Sequence, residues 1–195
     1  MAIGSDPIPP RPFRWTKEQY QEMYEMCWFV DKHVELIAGE IIEEGRMTRD
    51  HWVSVNLVTD ALWKVLRPSH YATIRSPIDL ETDSEPRPDA AVFAGNPRDD
   101  LNGKFITAGL IIEVADQTLV EDRHRKGSLY AQAGVEDYWI VNLRKCGVER
   151  YRNPIAMPHK PFGFGYETAE FFCSGDRVSP LAKPEVQIAV ADLLP

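Results

Sequence analysis

The spacing of apolar residues predicts three helices separated by strands. Thr16, followed three residues later by Gln19, forms a capping-box pattern, so a helix is expected from Thr16 to about Cys27. A second helix is expected over about Asp50–Leu66, because apolar residues recur there at steps of three and four. A third helix is expected from Asp122 to about Ala133, since the glycine that follows is a typical helix stop.

Short apolar stretches predict strands and one tight hairpin. Two stretches flank the dipeptide at residues 38–39, which indicates a β-hairpin whose glycine supplies the turn. The run LIIEVA is apolar almost throughout and predicts a central strand covered on both faces. The expected strands are Tyr71–Arg75, Ile78–Glu81, Asp89–Ala94, Leu110–Ala115, Asp137–Asn142, one after Gly147, and a hairpin or edge strand within residues 166–190.

These elements predict one domain of the α/β (α+β) class. The helix between LIIEVA and DYWIVN suggests that these two strands are parallel, within a mixed sheet flanked by helices. Residues 1–15 are rich in proline and are expected to form a loose leader, which leaves residues 16–195 as the domain. Residues 153–165 combine prolines and glycines, so a surface loop is expected there.

Composition narrows the function classes. Lys and Arg number 22 and Asp and Glu number 30, which gives a net charge of −8. Such a chain is a poor candidate for a non-specific coat on nucleic acid, although a nuclease with a small basic patch stays possible. Three widely spaced cysteines fit free thiols in a reducing cytoplasm. With no signal-peptide pattern and no membrane-span run, the protein is expected to be soluble and cytoplasmic, without a membrane partner.

Two carboxylates on predicted strands are the first candidates for chemistry. The chain has no glycine-rich phosphate loop, no GxSxG elbow, no HExxH and no histidines at metal-ligand spacing. Glu113 lies inside an apolar run, where a carboxylate is costly to bury unless it is paired or binds a metal. The alternative is an edge strand on which Glu113 faces solvent. Asp89 follows Pro88, and it could equally be a strand-entry residue after a proline turn.

Three further side chains are candidates by position. Lys126 lies on the same helical stripe as Leu129 and Tyr130, so it either extends past the sheet or meets a carboxylate. His51 heads the apolar stripe of the second helix, where a partly buried structural histidine is the simpler interpretation. Glu35 lies in a short strand whose buried face the pattern leaves open, so solvent and site are equally expected.

Several of these segments together resemble a known family. The runs VELIAGEI, RPDAAVF, LIIEVAD and KGSLYAQAGVEDYWIVN are similar to the Uma-type family of bacterial putative restriction endonucleases, within the PD-(D/E)xK nuclease superfamily. The resemblance covers roughly residues 16–153, with a family-like tail in VQIAVADLL. It implies a restriction-endonuclease-like mixed β-sheet flanked by helices.

The resemblance also implies a catalytic site. Asp89 and Glu113 would bind Mg²⁺ or Mn²⁺, and Glu35 would be a further acidic catalytic residue. The usual third motif, ExK, is incomplete because Ala115 stands two residues after the glutamate. Lys126 is expected to replace that lysine from the following helix.

Accessory residues and one departure complete this implied site. His51 and Arg123 are possible accessory residues, and Arg123 could contact a nucleic-acid backbone or belong to a solvated helix face. Asp116 stands where the family commonly has serine, which adds negative charge close to the expected phosphate site.

The function expected from this site is metal-dependent hydrolysis of phosphodiester bonds in nucleic acid, with DNA as the substrate and a homodimer as the assembly. The competing interpretation is a nuclease fold kept as a weakly active or inactive binding module, because a fold does not fix a function. A metal-dependent hydrolase of a small phosphate ester is a third alternative. Convergence of Asp89, Glu113 and Lys126 in one cleft would favour the enzyme.

Overall fold

The computed structural model describes residues 11–80, 82–98 and 108–195. Its helices and strands follow the order expected from the sequence, except that residues 78–80 form no strand. The helices are α1 (Lys17–Glu25), α2 (Arg49–Leu66) and α3, which joins a turn at Leu119–Glu121, a π-helical segment at Asp122–Lys126 and an α-helical end at Gly127–Gln132. Two 3₁₀ helices lie at Leu143–Lys145 and Val190–Leu193.

Six strands form one mixed sheet in the order β3-β4-β5-β6-β7-β8. β5 and β6 run parallel and the other neighbouring pairs run antiparallel, as the crossover helix α3 requires. β1 with β2 and β9 with β10 form separate antiparallel pairs. The strands are β1 (Val34–Ile37), β2 (Glu40–Glu43), β3 (His70–Ile74), β4 (Ala90–Ala94), β5 (Leu110–Ala115), β6 (Asp137–Asn142), β7 (Gly147–Ala156), β8 (Phe164–Cys173), β9 (Arg177–Val178) and β10 (Ile188–Ala189).

Local sequence signals account for most element boundaries. Thr16 and Gln19 form the reciprocal capping box expected at the start of α1. Ala38 and Gly39 both have positive φ, 50° and 74°, as the tight turn between β1 and β2 needs. Gly134 has φ 75° just after α3, where a left-handed residue ends a helix. These three predictions are confirmed.

Both faces of the sheet are covered, as expected for a mixed sheet flanked by helices. Side chains alternate along β5, so Ile112 and Val114 pack towards α2 while Ile111 and Ala115 pack towards α3. A third, smaller cluster joins α1 to the β1–β2 hairpin. Every residue of β5 is buried, which confirms its prediction as a central strand.

Two predicted elements differ. Residues 78–80 form no strand, and Glu81 lies outside the described residues. Ile78 instead donates its backbone N–H to the carbonyl of Pro86, and its side chain fills the cluster on the α3 side of the sheet. The loop expected over 153–165 is shorter, because β7 continues to Ala156 and β8 begins at Phe164. Proline at position 154 is tolerated there, because the pairing of β7 with β6 has ended at Arg152.

Two further predictions concern the ends of elements. Helix α3 begins three residues before the expected start and contains a wide π-helical segment that apolar periodicity does not signal. Residues 11–15 of the expected leader contain no helix or strand, and residues 1–10 lie outside the described part. Within the described residues, no helix is both long enough and apolar enough to span a bilayer.

Candidate functional site

The pairing of β4 with β5 brings the two strand carboxylates together. Ala90 pairs with Ile112, so Asp89 lies across from Glu113 on the neighbouring strand. Both residues are buried, at 4% exposure. The alternative in which Glu113 faces solvent from an edge strand is wrong, because β5 has β4 on one side and β6 on the other.

Asp89 is held by donors from three directions. His51 Nε2 lies 2.9 Å from its Oδ2, the Val114 backbone N–H donates to the same oxygen at 2.8 Å, and Arg75 Nη1 donates to Oδ1 at 3.0 Å. Burial alone would raise the pKa of Asp89, but the hydrogen bond and charge of His51, with these other donors, hold that pKa below its ordinary value. The carboxylate is therefore kept ionised and fixed in orientation.

Lys126 bridges two buried carboxylates. Its Nζ lies 3.1 Å from Glu113 Oε1 and 3.2 Å from Glu35 Oε2. Glu35 also accepts the backbone N–H of Arg87 at 3.1 Å. The structure thus brings Glu35, Asp89, Glu113 and Lys126 to one place, and the alternative that Lys126 extends past the sheet into solvent is wrong.

Tyr130 and Asp122 complete the buried cluster. The Tyr130 hydroxyl donates to Glu113 Oε1 at 2.7 Å. Among the described residues, both hydrogen bonds to Glu113 therefore fall on Oε1, and Oε2 is the oxygen open to another partner. Asp122 accepts a hydrogen bond from the Thr118 hydroxyl at 2.6 Å and is also buried.

The cluster holds more carboxylates than one lysine can neutralise. Burial opposes the charge on Lys126, yet the surrounding carboxylates raise its pKa well above the ordinary value, so the lysine stays protonated. Burial and neighbouring carboxylates also raise the pKa of Glu113 well above its ordinary value, although Lys126 opposes this rise. Burial raises the pKa of Asp122 to about 6. Without a cation, the cluster therefore retains protons near neutral pH.

These side chains line one cleft with a volume of about 180 Å³. The loop between β2 and α2 forms one wall, and the residues after β5 form another. Thr48 joins the two walls, since its hydroxyl donates to Asp116 Oδ2 at 3.0 Å while it accepts the N–H of His51 at 3.2 Å. A partly enclosed space that contains buried carboxylates and a buried lysine is a usual setting of an active site.

Of the expected accessory residues, His51 lines this cleft and Arg123 does not. Arg123 makes two hydrogen bonds to Glu149, at 2.8 and 2.6 Å, and so ties the π-helical segment to β7. Burial would raise the pKa of Glu149, but the hydrogen bonds from Arg123, Tyr151 and Asn142 together lower it. Arg123 thus forms an ion pair with Glu149 within the protein and does not line the cleft.

Sequence reasoning missed three site residues. Asp122 lies four residues before Lys126, so helical spacing contained a signal for it. Tyr130 shares the apolar stripe of Lys126, and the pattern alone does not distinguish a tyrosine there from a core residue. Arg75 follows β3 with a left-handed φ of 47°, and no motif in the sequence signals its bond to Asp89.

The donor set fits a divalent cation that prefers oxygen. Asp89 and Glu113 supply carboxylate oxygens from adjacent strands, and Mg²⁺ is usually held by one or two carboxylates with water completing its shell. Within the described parts of the chain, no three His, Cys, Asp or Glu side chains are grouped closely enough to hold a metal by themselves. A cation here would therefore rely on two protein carboxylates, with water or substrate supplying its other ligands.

Comparison with a solved structure agrees with the fold described above. A crystal structure described as a putative nuclease belonging to DUF820, from Anabaena variabilis, has the same fold with a TM-score of 0.66. The two chains are 18% identical, and the match covers 91% of this chain and 96% of the other. This chain thus shares its fold with a protein described as a putative nuclease.

The family follows from the sequence match. The model of the Uma2 family, described as putative restriction endonuclease, matches residues 18–191. The chain therefore belongs to the Uma2 family. No curated protein matches it.

Proposed function

We propose that this protein is a metal-dependent nuclease that hydrolyses phosphodiester bonds of nucleic acid, with DNA as its substrate. The carrying observation is the position of Lys126. Its ammonium group lies 3.1 Å from Glu113, although it comes from helix α3 rather than from the strand. This position supports the proposal, because it brings a lysine beside the carboxylate pair despite Ala115 at the usual lysine position.

Asp89 and Glu113 are the residues that would hold Mg²⁺ or Mn²⁺. The cation would polarise a phosphoryl oxygen and lower the pKa of a bound water. His51, Val114 and Arg75 keep Asp89 ionised and oriented for this role. Oε1 of Glu113 is occupied by its two donors, so Oε2 is the oxygen available to a cation.

Lys126 supplies positive charge beside the reacting phosphate. Its pKa is raised, so the ammonium group remains charged and can stabilise negative charge that develops on phosphoryl oxygens. Glu35 acts on Lys126 through their 3.2 Å contact, which fixes the ammonium group between two carboxylates. His51 lines the cleft and contacts Asp89, a position from which it can orient a water or hold the aspartate.

The proposal extends to the assembly and the compartment. A homodimer would offer two clefts to the two strands of a duplex, and analytical ultracentrifugation tests this assembly. Free, exposed cysteines at positions 27, 146 and 173 suit a reducing compartment such as the bacterial cytoplasm.

Two observations favour a non-catalytic binding module as the second candidate. Asp89 already accepts three hydrogen bonds, so a metal must share its oxygens with protein donors. The net charge of −8 also disfavours tight binding of a polyanion. A module of this kind would bind nucleic acid or protein without metal-dependent cleavage.

Cleavage of plasmid DNA with Mn²⁺ or Mg²⁺ tests the proposal. Asp89→Asn and Glu113→Gln should each lower the cleavage rate by at least about a hundredfold and weaken Mn²⁺ binding measured by calorimetry. Glu170→Gln is the matched control. Glu170 is an exposed carboxylate on the edge strand β8, where it pairs with Arg150. Wild-type protein that binds no Mn²⁺ and leaves DNA intact would contradict the nuclease proposal.

A further inference from the structure

Arg87 lines the cleft, and the proposed chemistry gives its side chain no role. It stands between Pro86 and Pro88, two residues before Asp89, so its backbone has little freedom. Its N–H donates to Glu35, which ties its position to the catalytic cluster. Its guanidinium carbon lies 4.8 Å from the centre of the Tyr24 ring, and the cation is held against that aromatic face.

The Arg87 side chain has an unmet hydrogen-bonding capacity. Nε is buried and has no hydrogen-bond partner, and such donors are rare in folded proteins because each one costs stability. Among the described residues, the guanidinium forms no ion pair with a carboxylate, although Arg87 lines a cleft rich in carboxylates. Because Arg87 lines the cleft and retains an unsatisfied donor, its guanidinium is the group that an anion in the cleft can meet.

The other cations of the cleft are differently placed. Arg75 is bound to both Asp89 and Glu44, and Lys126 is bound to Glu35 and Glu113. Their charge is therefore balanced within the protein. Arg46 also lines the cleft but is exposed on the loop before α2. Arg87 thus combines a fixed backbone, an aromatic support and an unsatisfied donor.

We infer that Arg87 is a substrate-binding residue whose guanidinium donates to a non-bridging oxygen of a phosphate in the cleft. This inference rests on the proposed nuclease function and deepens it. A phosphodiester carries one negative charge and meets a cluster of carboxylates, so its entry requires a cation that the cluster has not already neutralised. The planar guanidinium also offers paired N–H donors that match phosphate oxygens better than an ammonium group does.

Binding measurements on two variants and a control test the inference. The variants are Arg87→Gln, which removes the charge, and Arg87→Lys, which keeps the charge but loses the planar donors. Arg67→Gln is the control, because Arg67 is also held over an aromatic ring, that of Trp63 at 5.5 Å, but does not line the cleft. Fluorescence anisotropy with a short labelled single-stranded DNA, in Ca²⁺ and over a series of salt concentrations, reports affinity and the number of phosphate contacts.

Arg87→Gln should weaken DNA binding by about tenfold to a hundredfold and reduce the slope of log affinity against log salt by about 0.7. Arg87→Lys should lie between this variant and the wild type, and Arg67→Gln should match the wild type. Mn²⁺ affinity measured by calorimetry should change little in all three, since none of them removes a proposed metal ligand. A folded Arg87→Gln protein with wild-type affinity and salt slope would overturn the inference.

Two further measurements separate the possible failures. If Arg87→Gln does not fold, as judged by its thermal melt, Arg87→Lys decides, and wild-type affinity in that variant overturns the contact. Titration of inorganic phosphate followed by ³¹P NMR tests the anion site without DNA. Phosphate binding that depends on Arg87, in a protein that neither binds nor cuts DNA, would support the anion site and overturn the nuclease function.

Discussion

At the scale of single residues, Lys126 shows how burial turns a surface residue type into a structural and chemical centre. Its side chain is 9% exposed and contacts two carboxylates that are less exposed still. A buried ion pair contributes little net stability when intact, because desolvation offsets the attraction. Removal of one partner is costly, since the other charge is then left buried without compensation.

Lys126→Met should therefore destabilise the metal-free protein by about 3 kcal/mol at slightly alkaline pH, measured by urea denaturation. The double variant Lys126→Met/Glu113→Gln should lose less, because no unpaired carboxylate remains at position 113. Lys32→Met is the control, since Lys32 pairs with Glu43 on the surface at 2.8 Å and its loss should cost less than about 1 kcal/mol. A Lys126→Met protein as stable as the wild type would show that the contacts of Lys126 with Glu35 and Glu113 do not contribute to stability.

The position of Lys126 could be predicted from the sequence better than the contacts of its neighbours in the site. Helical spacing placed Lys126 beside Leu129 and Tyr130, and α3 does pack that face on the sheet. The hydrogen bond from Tyr130 to Glu113 joins a helix to a strand, and the residue pattern along the sequence does not indicate it. The same holds for Arg75, whose contact with Asp89 arises from a left-handed turn after β3.

At the scale of elements, the start of helix α2 is joined to the site. Thr48 caps the helix by accepting the N–H of His51, and its hydroxyl donates to Asp116 across the cleft. Thr16 caps α1 in the same way, at the other end of the β1–β2 hairpin segment and outside the cleft lining. The two threonines therefore offer the same helix-capping chemistry in two different surroundings.

Thr48→Ala and Thr16→Ala should each lower the free energy of unfolding by about 1 kcal/mol, because each loses an N-cap hydrogen bond. Only Thr48→Ala should also slow DNA cleavage, since it releases Asp116 and loosens the support of His51 beside Asp89. Urea denaturation and plasmid cleavage on the same preparations provide the two readouts. Equal cleavage rates for the two variants would show that the α2 cap does not affect the site.

The elements predicted well are those fixed by local chemistry. The capping box, the Ala38–Gly39 turn and the apolar strand β5 each depend on a few adjacent residues, and each is confirmed. The segment 78–80 is apolar enough for a strand, but its position is set by packing against α3 and by a bond to Pro86. The π-helical segment likewise depends on tertiary contacts, such as the two hydrogen bonds from Arg123 to Glu149.

At the scale of the whole molecule, the cleft concentrates negative charge that the fold must tolerate without a metal. Burial raises the pKa of Glu113 and, to about 6, that of Asp122. A raised pKa means that the protonated carboxyl favours the folded state. Its stabilising contribution is complete below the unfolded pKa and is lost as pH rises through the folded pKa. Asp89 acts in the opposite direction, because its lowered pKa stabilises the fold above its ordinary pKa and loses that effect in acid.

The metal-free protein should therefore lose stability as pH rises above about 4, and Asp122→Asn should remove part of this loss. The rise from 3.8 to about 6 in the pKa of Asp122 predicts that the stability of the variant relative to wild type improves by about 2 kcal/mol between about pH 4 and pH 8. Asp60→Asn, on the exposed face of α2, is the control and should show no such trend.

Mn²⁺ should flatten the pH dependence of the wild type, because a cation replaces the retained protons. The heat of Mn²⁺ binding should then differ between buffers of different ionisation enthalpy. Urea denaturation over this pH range, with and without Mn²⁺, measures both effects. Parallel pH curves for the wild type and Asp122→Asn would show that Asp122 does not share in the charge of the cluster.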